Sequence, residues 1–297
     1  MAPTGVAALA VVEQDVRPIG PYRMPPARPD GIMRRRGTEL VRVIHLGDEP
    51  AVVRAWPVAG AVRLRAESAS REAAAHAVER MRFGLNLDHD LRPFHRRFKD
   101  DPLIGPVIRR HPSLRPMRRA VPFEALAWAI TEQLIETTRA FAIQRRLTYR
   151  YGRKSVCGTL RDAPTPAALA ARAPAELCAL DLAAKRALAM IKVSHEVDRG
   201  RVDLTQHEPA WKRLLPISNI GSWTIDCLAF HGQGRDDMLP AGDLAYVKLV
   251  ARMLRMGRRA TVEEVRAFFE PYAPFEGLAG MYLLRGRRFV LPAGPPV

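Results

Sequence analysis

LPISNIGSWTIDCLAFHGQGRDDMLPAGD runs from Leu215 to Asp243. It sets a short Asn219-Ile220-Gly221 turn between two apolar stretches, then ends on a lone acid, Asp243. Glycine enters open or left-handed backbone without steric cost, and asparagine is the next-best residue for a left-handed position, so Gly221 and Asn219 predict a tight turn between two helices. Ser222, Trp223 and Thr224 would open the second helix. There the first amides lack internal acceptors and the helix dipole favours an anion such as phosphate. Taken alone, the turn also reads as an ordinary interhelical connection. Asp243, at the start of "DLAYVKLVARML", reads as a helix N-cap.

Charge narrows the partner class. The 297 residues carry 47 Lys and Arg against 31 Asp and Glu, a formal charge of +16 and a pI near 10.7. Only six of the basic residues are lysine. Arginine donates two parallel hydrogen bonds to phosphate, so nucleic acid is the leading partner class. An arginine-rich proteome is the competing explanation. Three separated cysteines, Cys157, Cys178 and Cys227, form no CxxC pair or metal-ligand spacing, and suggest a reduced cytoplasmic protein. The first sixteen residues lack a basic leader region, and no apolar run is long enough for a membrane span.

Two textures follow along the chain. From about Gly31 to Glu67 the runs "ELVRVIHL", "AVVRAWPV" and "AVRLRAES" are strand-like and punctuated by turn residues, which predicts an antiparallel meander. Ser70 caps the helix that follows. From His89 onward the pattern is helical. The segment Pro122 to Gly152 carries Phe123, Leu126, Ile130 and Leu134 as one helical repeat. Met190, Val193 and Val197 share a face of a helix that stops at Gly200. Thr261 and Glu264 make a capping box. These signals predict an α+β protein: an N-terminal α/β domain with an antiparallel sheet over 1–88, then an all-helical region over 89–297.

The stretch Ile217-Ser218-Asn219-Ile220-Gly221-Ser222-Trp223-Thr224-Ile225, with Asp243 in "LPAGDLAYVK", resembles the motif of the helix-hairpin-helix DNA glycosylase superfamily. Within it, the sequence looks most like the 3-methyladenine DNA glycosylase II family. "PFEALAWAITEQLI", "LAAKRALAMIKVSHEVDRGRVDL" and "DPLIGPVIRRHPSLRP" support that branch, and the resemblance covers about Arg92 to Leu284. It implies a hairpin at about 210–232 that binds DNA phosphate through Asn219, Ile220, Gly221, Ser222, Trp223 and Thr224. It further implies that Asp243 is the catalytic carboxylate, that Trp223 lines the base pocket, and that Gln133 and Leu134 wedge the duplex. Carbonyls of Leu215, Ile217 and Ile220 would hold a monovalent cation, Na⁺ or K⁺, with no other cofactor.

The implied function is a monofunctional DNA glycosylase excising alkylated purines of the 3-methyladenine and 7-methylguanine type in base excision repair. It would act as a monomer on damaged double-stranded DNA, in the cytoplasm at the nucleoid and away from membranes. Departures from the family pattern are Asn219 for the first hairpin glycine, Cys227 for an aromatic, Glu132 and Glu136 beside the wedge, and "PYAPFEGLAG" with Glu276 for a basic contact. They keep two alternatives open. One is a non-catalytic DNA-binding protein with the same hairpin; the other is a glycosylase for oxidised or deaminated bases.

Overall fold

A computed structural model of the chain describes residues 9–290. Five strands come first: β1 (Ala10–Val16), β2 (Arg34–Arg36), β3 (Glu39–Leu46), β4 (Glu49–Val58) and β5 (Ala61–Ser68). Helices α1 (Arg71–Gly84), α2 (Arg92–Phe98), α3 (Gly105–Arg110) and α4 (Pro122–Glu132) follow, then α5 (Thr137–Tyr151), α6 (Pro166–Ala170), α7 (Pro174–Cys178) and α8 (Ala184–Asp198). The remaining helices are α9 (His207–Leu214), α10 (Ser222–Cys227), α11 (Leu244–Met253), α12 (Val262–Phe269) and α13 (Glu276–Val290). The class is α+β, as expected.

Internal contacts divide the chain into two compact units. One comprises 1–18, 24–89 and 134–195, and the other 19–23, 90–133 and 196–297. The sequence reading kept 89–297 as one helical region. In the structure the residues 134–195 cluster instead with the sheet.

In the first unit the sheet is antiparallel throughout, in the order β1-β5-β4-β3-β2. β1 adds an edge strand that the sequence reading did not assign. α1 lies across β1, β3, β4 and β5 and buries Ala73, Ala74, Ala77, Val78 and Met81 against them. Ser70 caps it, accepting from the Ala73 amide at 3.1 Å. Burial along β3 does not alternate, because Arg42 is buried as well as Val41 and Val43. Its guanidinium meets Asp162 at 3.1 Å, and the imidazole of His45 meets the other carboxylate oxygen at 3.1 Å. The polar side of the strand is thus covered by a paired charge instead of water.

The second unit has an aromatic centre. Phe94 packs against Phe98 and Tyr282 with ring centroids 5.3 and 5.0 Å apart, and Tyr246, Val265 and Phe269 join the same cluster. Each fully buried side chain of this size contributes about 1.5–3 kcal/mol. α11 packs on α12 and α13, while α10 and the π-helical turn Leu228–Gly232 pack on α4. The capping box of α12 is present: the Glu264 amide donates to the Thr261 hydroxyl at 3.2 Å and the Glu264 carboxylate accepts from the Thr261 amide at 2.8 Å.

One expectation fails in an informative way. The single helix read over Pro122 to Gly152 is two helices, α4 and α5, with a break at Gln133 to Glu136. Leu134 sits in that break at φ +55° and is fully exposed. A left-handed leucine is disfavoured, so surrounding contacts must hold it there.

Candidate active site

The hairpin joins α9 to α10. The Ile217 amide donates to the Leu214 carbonyl at 3.0 Å, and the Ile220 amide to the Ile217 carbonyl at 2.9 Å. Asn219 takes the left-handed conformation at φ +67°, as its side chain allows. Gly221 does not need glycine for its backbone. It is extended at φ −105° and ψ −179°, contrary to the open geometry expected of it. What glycine supplies there is space: nothing lies within 4 Å of where a Cβ would stand. That space adjoins the first turn of α10, whose Ser222 and Trp223 amides have no acceptors one turn back. Small exposed groups and unsatisfied donors together make a surface that a phosphate oxygen can approach.

Gln133 closes the hairpin from the end of α4. Its side-chain NH₂ donates to the Asn219 carbonyl at 2.8 Å and to the Thr224 hydroxyl at 2.9 Å. The sequence paired Gln133 with Leu134 as a wedge. The structure adds that the Gln133 NH₂ holds the hairpin turn to the first turn of α10. This contact was not read from the sequence, where a glutamine at a helix end and a threonine ninety-one residues on carry no shared pattern.

Trp223 is half-buried on α10. A Cβ on Gly242 would stand 3.6 Å from the Trp223 Cβ and 3.8 Å from its Cδ1. The backbone just before Asp243 therefore lies directly against the tryptophan, which brings the two sequence candidates to one place. Asp243 is the N-cap of α11, with one carboxylate oxygen accepting the Ala245 amide at 2.8 Å. The cap reading is correct as geometry. It uses Oδ1 and leaves Oδ2 without a hydrogen bond among the described residues.

Behind these residues lies Cys227, fully buried. Burial first, then the charges of Glu132, Asp243 and Asp226, push its thiol well above its ordinary value. The Tyr246 phenol is raised in the same way by burial, with Asp243 and Cys227 adding to it. Glu132, Cys227, Asp243 and Tyr246 thus share one electrostatic neighbourhood, of which Tyr246 was not anticipated.

Among the carbonyls expected at a monovalent cation, that of Ile217 already accepts the Ile220 amide, leaving one lone pair for an ion. Those of Leu215 and Ile220 accept no main-chain hydrogen bond in the turn. Such a donor set fits a weakly bound alkali ion. Among the described residues no group of three or more His, Cys, Asp or Glu could hold a metal ion, and no helix is long and apolar enough to cross a membrane.

No family model matches the chain. It is 24% identical to the DNA-3-methyladenine glycosylase of Bacillus subtilis over 208 residues, which is 68% of this chain and 69% of that one. It is 27% identical to DNA-3-methyladenine glycosylase 2 of Escherichia coli over 190 residues, covering 61% and 63%. A solved 3-methyladenine DNA-glycosylase from Archaeoglobus fulgidus superposes with a TM-score of 0.78 at 18% identity, over 94% of this chain and 98% of that one. The chain shares the fold of that glycosylase almost end to end, and the curated relatives to which its sequence is similar are named DNA-3-methyladenine glycosylases.

Proposed function

We propose that the protein is a monofunctional DNA glycosylase that excises alkylated purines, of the 3-methyladenine and 7-methylguanine type, in base excision repair. The observation that carries the reading is the placement of Trp223 against the backbone immediately before Asp243, beside a phosphate-ready hairpin. The relatives named DNA-3-methyladenine glycosylases support the same class of substrate. The protein would work as a monomer on double-stranded DNA at the nucleoid.

The hairpin grips one strand through the amides of Ser222 and Trp223; the carbonyls of Leu215, Ile217 and Ile220 would hold an alkali ion, which would add positive charge toward phosphate. The target nucleotide rotates out of the duplex, at a cost of about a few kcal/mol that is lowest for damaged bases. Leu134, exposed and held away from the helix path, fills the gap it leaves. A purine alkylated at N3 or N7 is cationic, so the face of Trp223 attracts it, and its charge makes it a good leaving group. As the glycosidic bond breaks, positive charge develops on the sugar. The fixed carboxylate of Asp243 stabilises it through Oδ2 and orients the water that completes hydrolysis. By the family resemblance, Trp223 stands where lyase-competent members carry a lysine, so no Schiff base is expected to form there.

The test is single-turnover incubation with duplexes carrying 3-methyladenine, 7-methylguanine, 8-oxoguanine or uracil, followed by identification of the released base and by borohydride treatment. Release of the alkylated purines with no trapped adduct is expected. Release of only oxidised or deaminated bases would transfer the protein to another branch. No release with retained duplex binding would make it a binding protein.

A further inference from the structure

Away from Trp223 and Asp243, the second unit contains a cavity of about 440 Å³ that the glycosylase reading does not use. Asp226 lines it from α10, Arg266 from α12, Glu270 from the turn just after α12, and Glu276 from the start of α13. Asp237 also lines it but is committed to Arg235, through hydrogen bonds of 2.9 and 2.7 Å.

Asp226 stands out. Its side chain is only 7% exposed, yet its carboxylate makes no hydrogen bond, and its buried Oδ2 has only a long ion pair to Arg266. The nearest cation, Arg266, is 3.5 Å away and is itself 55% exposed. Oε2 of Glu276, which lines the same cavity, is likewise buried without a hydrogen bond. A buried carboxylate left this way is costly, and natural proteins leave few of them. The wall bearing Glu276 is firmly placed: the amides of Gly277 and Leu278 donate to the Asp236 carbonyl at 2.9 and 3.2 Å.

The contents of the cavity define what would fit. An ion alone is far too small for the space, and the carboxylates are not gathered as a metal-ligand group. Met238, Leu239 and Phe269 supply apolar wall between the acids. We propose that this cavity is a binding site for an aliphatic diamine or polyamine, with ammonium groups on Asp226 and Glu276 and the methylene chain along Met238, Leu239 and Phe269. Arg266 is the internal stand-in: it caps Asp226 loosely when the cavity is empty of amine and swings into solvent when one enters. The site uses Glu276, the acid that departs from the family pattern.

Isothermal titration of the whole protein with putrescine and with spermidine, at constant ionic strength, tests this. Saturable one-to-one binding is expected. Asp226→Asn and Glu276→Gln should each weaken it roughly ten- to hundredfold, the range for a lost charged hydrogen bond, with thermal melting confirming that each variant is folded. Arg266→Gln should tighten binding, because it removes the competing cation. Magnesium at equal charge should not displace the amine. The proposal is overturned if neither amine saturates, if the folded acid variants bind as the parent does, if Arg266→Gln weakens binding, or if magnesium competes equally.

Discussion

The side chain of Gln133 donates to the hydroxyl of Thr224 at 2.9 Å, tying the end of one helix to the first turn of another that lies ninety-one residues later in the chain. The same NH₂ group donates to the Asn219 carbonyl at 2.8 Å, so a single amide holds both sides of the hairpin.

Removing that amide should loosen the phosphate grip. Gln133→Ala loses two hydrogen bonds at about 0.5–1.5 kcal/mol each. Gln133→Glu should be worse than alanine for the hairpin, because an ionised carboxylate has no proton to offer the Asn219 carbonyl. Hydrogen exchange at the amides of 217–224, beside duplex-binding curves, measures both effects. Unchanged exchange in both variants would remove Gln133 from the hairpin's support.

Leu134 separates distortion of DNA from folding. Its side chain is fully exposed, so Leu134→Ala should change stability by under about 0.5 kcal/mol. It should weaken binding to duplex carrying an abasic-site analogue by about ten- to hundredfold, the loss of roughly one leucine's burial. Leu134→Gly relieves the left-handed backbone, worth about 1–2 kcal/mol, against an unfolded-state entropy term of about 0.4–1 kcal/mol. Melting at or slightly above the parent's is the expected result.

Asp243→Asn keeps the helix cap, since asparagine caps about as well as aspartate. It withdraws the negative charge from the sugar, which costs about 3–4 kcal/mol of barrier, or a hundred- to a thousandfold in rate. Single-turnover excision from alkylated duplex should fall by that order while the melting temperature holds. Excision at the parent's rate would leave Asp243 a cap alone.

Asp226 gives stability a particular pH dependence. Burial raises its carboxyl to about 7, with Arg266 acting the other way. Between about pH 4 and 7 the folded protein keeps a proton that the unfolded chain has lost, so this group's contribution falls as pH rises and levels off above 7. The span is on the order of 3–4 kcal/mol. Asp226→Asn should abolish it, so the difference in unfolding free energy between variant and parent should grow across that window. A constant difference from pH 4 to 8 would mean that Asp226 is ionised throughout.

Legibility followed the physics of each element. The caps at Ser70 and Thr261 and the stop at Gly200 are local, and they were readable because one or two adjacent residues carry them. The pairing of Trp223 with Asp243 was readable only through resemblance, since tertiary packing and no local pattern brings the loop at Gly242 beside the tryptophan. The break after α4 was not readable. No glycine or proline marks it, and Leu134 continues the apolar period while tertiary contact at neighbouring Gln133 fixes the end of α4. Gly221 misled in the opposite direction, because its backbone is ordinary and its value is the volume it leaves empty. The return of 134–195 to the sheet was equally invisible. It rests on contacts such as Arg42 with Asp162, separated by 120 residues.

The two cysteine environments set an order of chemical damage. Methylating agents that injure purines also attack thiolates, and thiols that stay protonated react poorly. Cys227, sealed beneath Asp243, is held neutral by burial and by the acids around it. Cys157 is exposed and accepts hydrogen bonds from Ser155 and Thr159 that lower its thiol to about 7, so much of it is thiolate near neutrality. Timed alkylation followed by peptide mass analysis should find Cys157 modified early and Cys227 only after unfolding. An enzyme at work during alkylation stress would thus take its first covalent wound on a surface turn, and its pocket would stay chemically intact for as long as it stays folded.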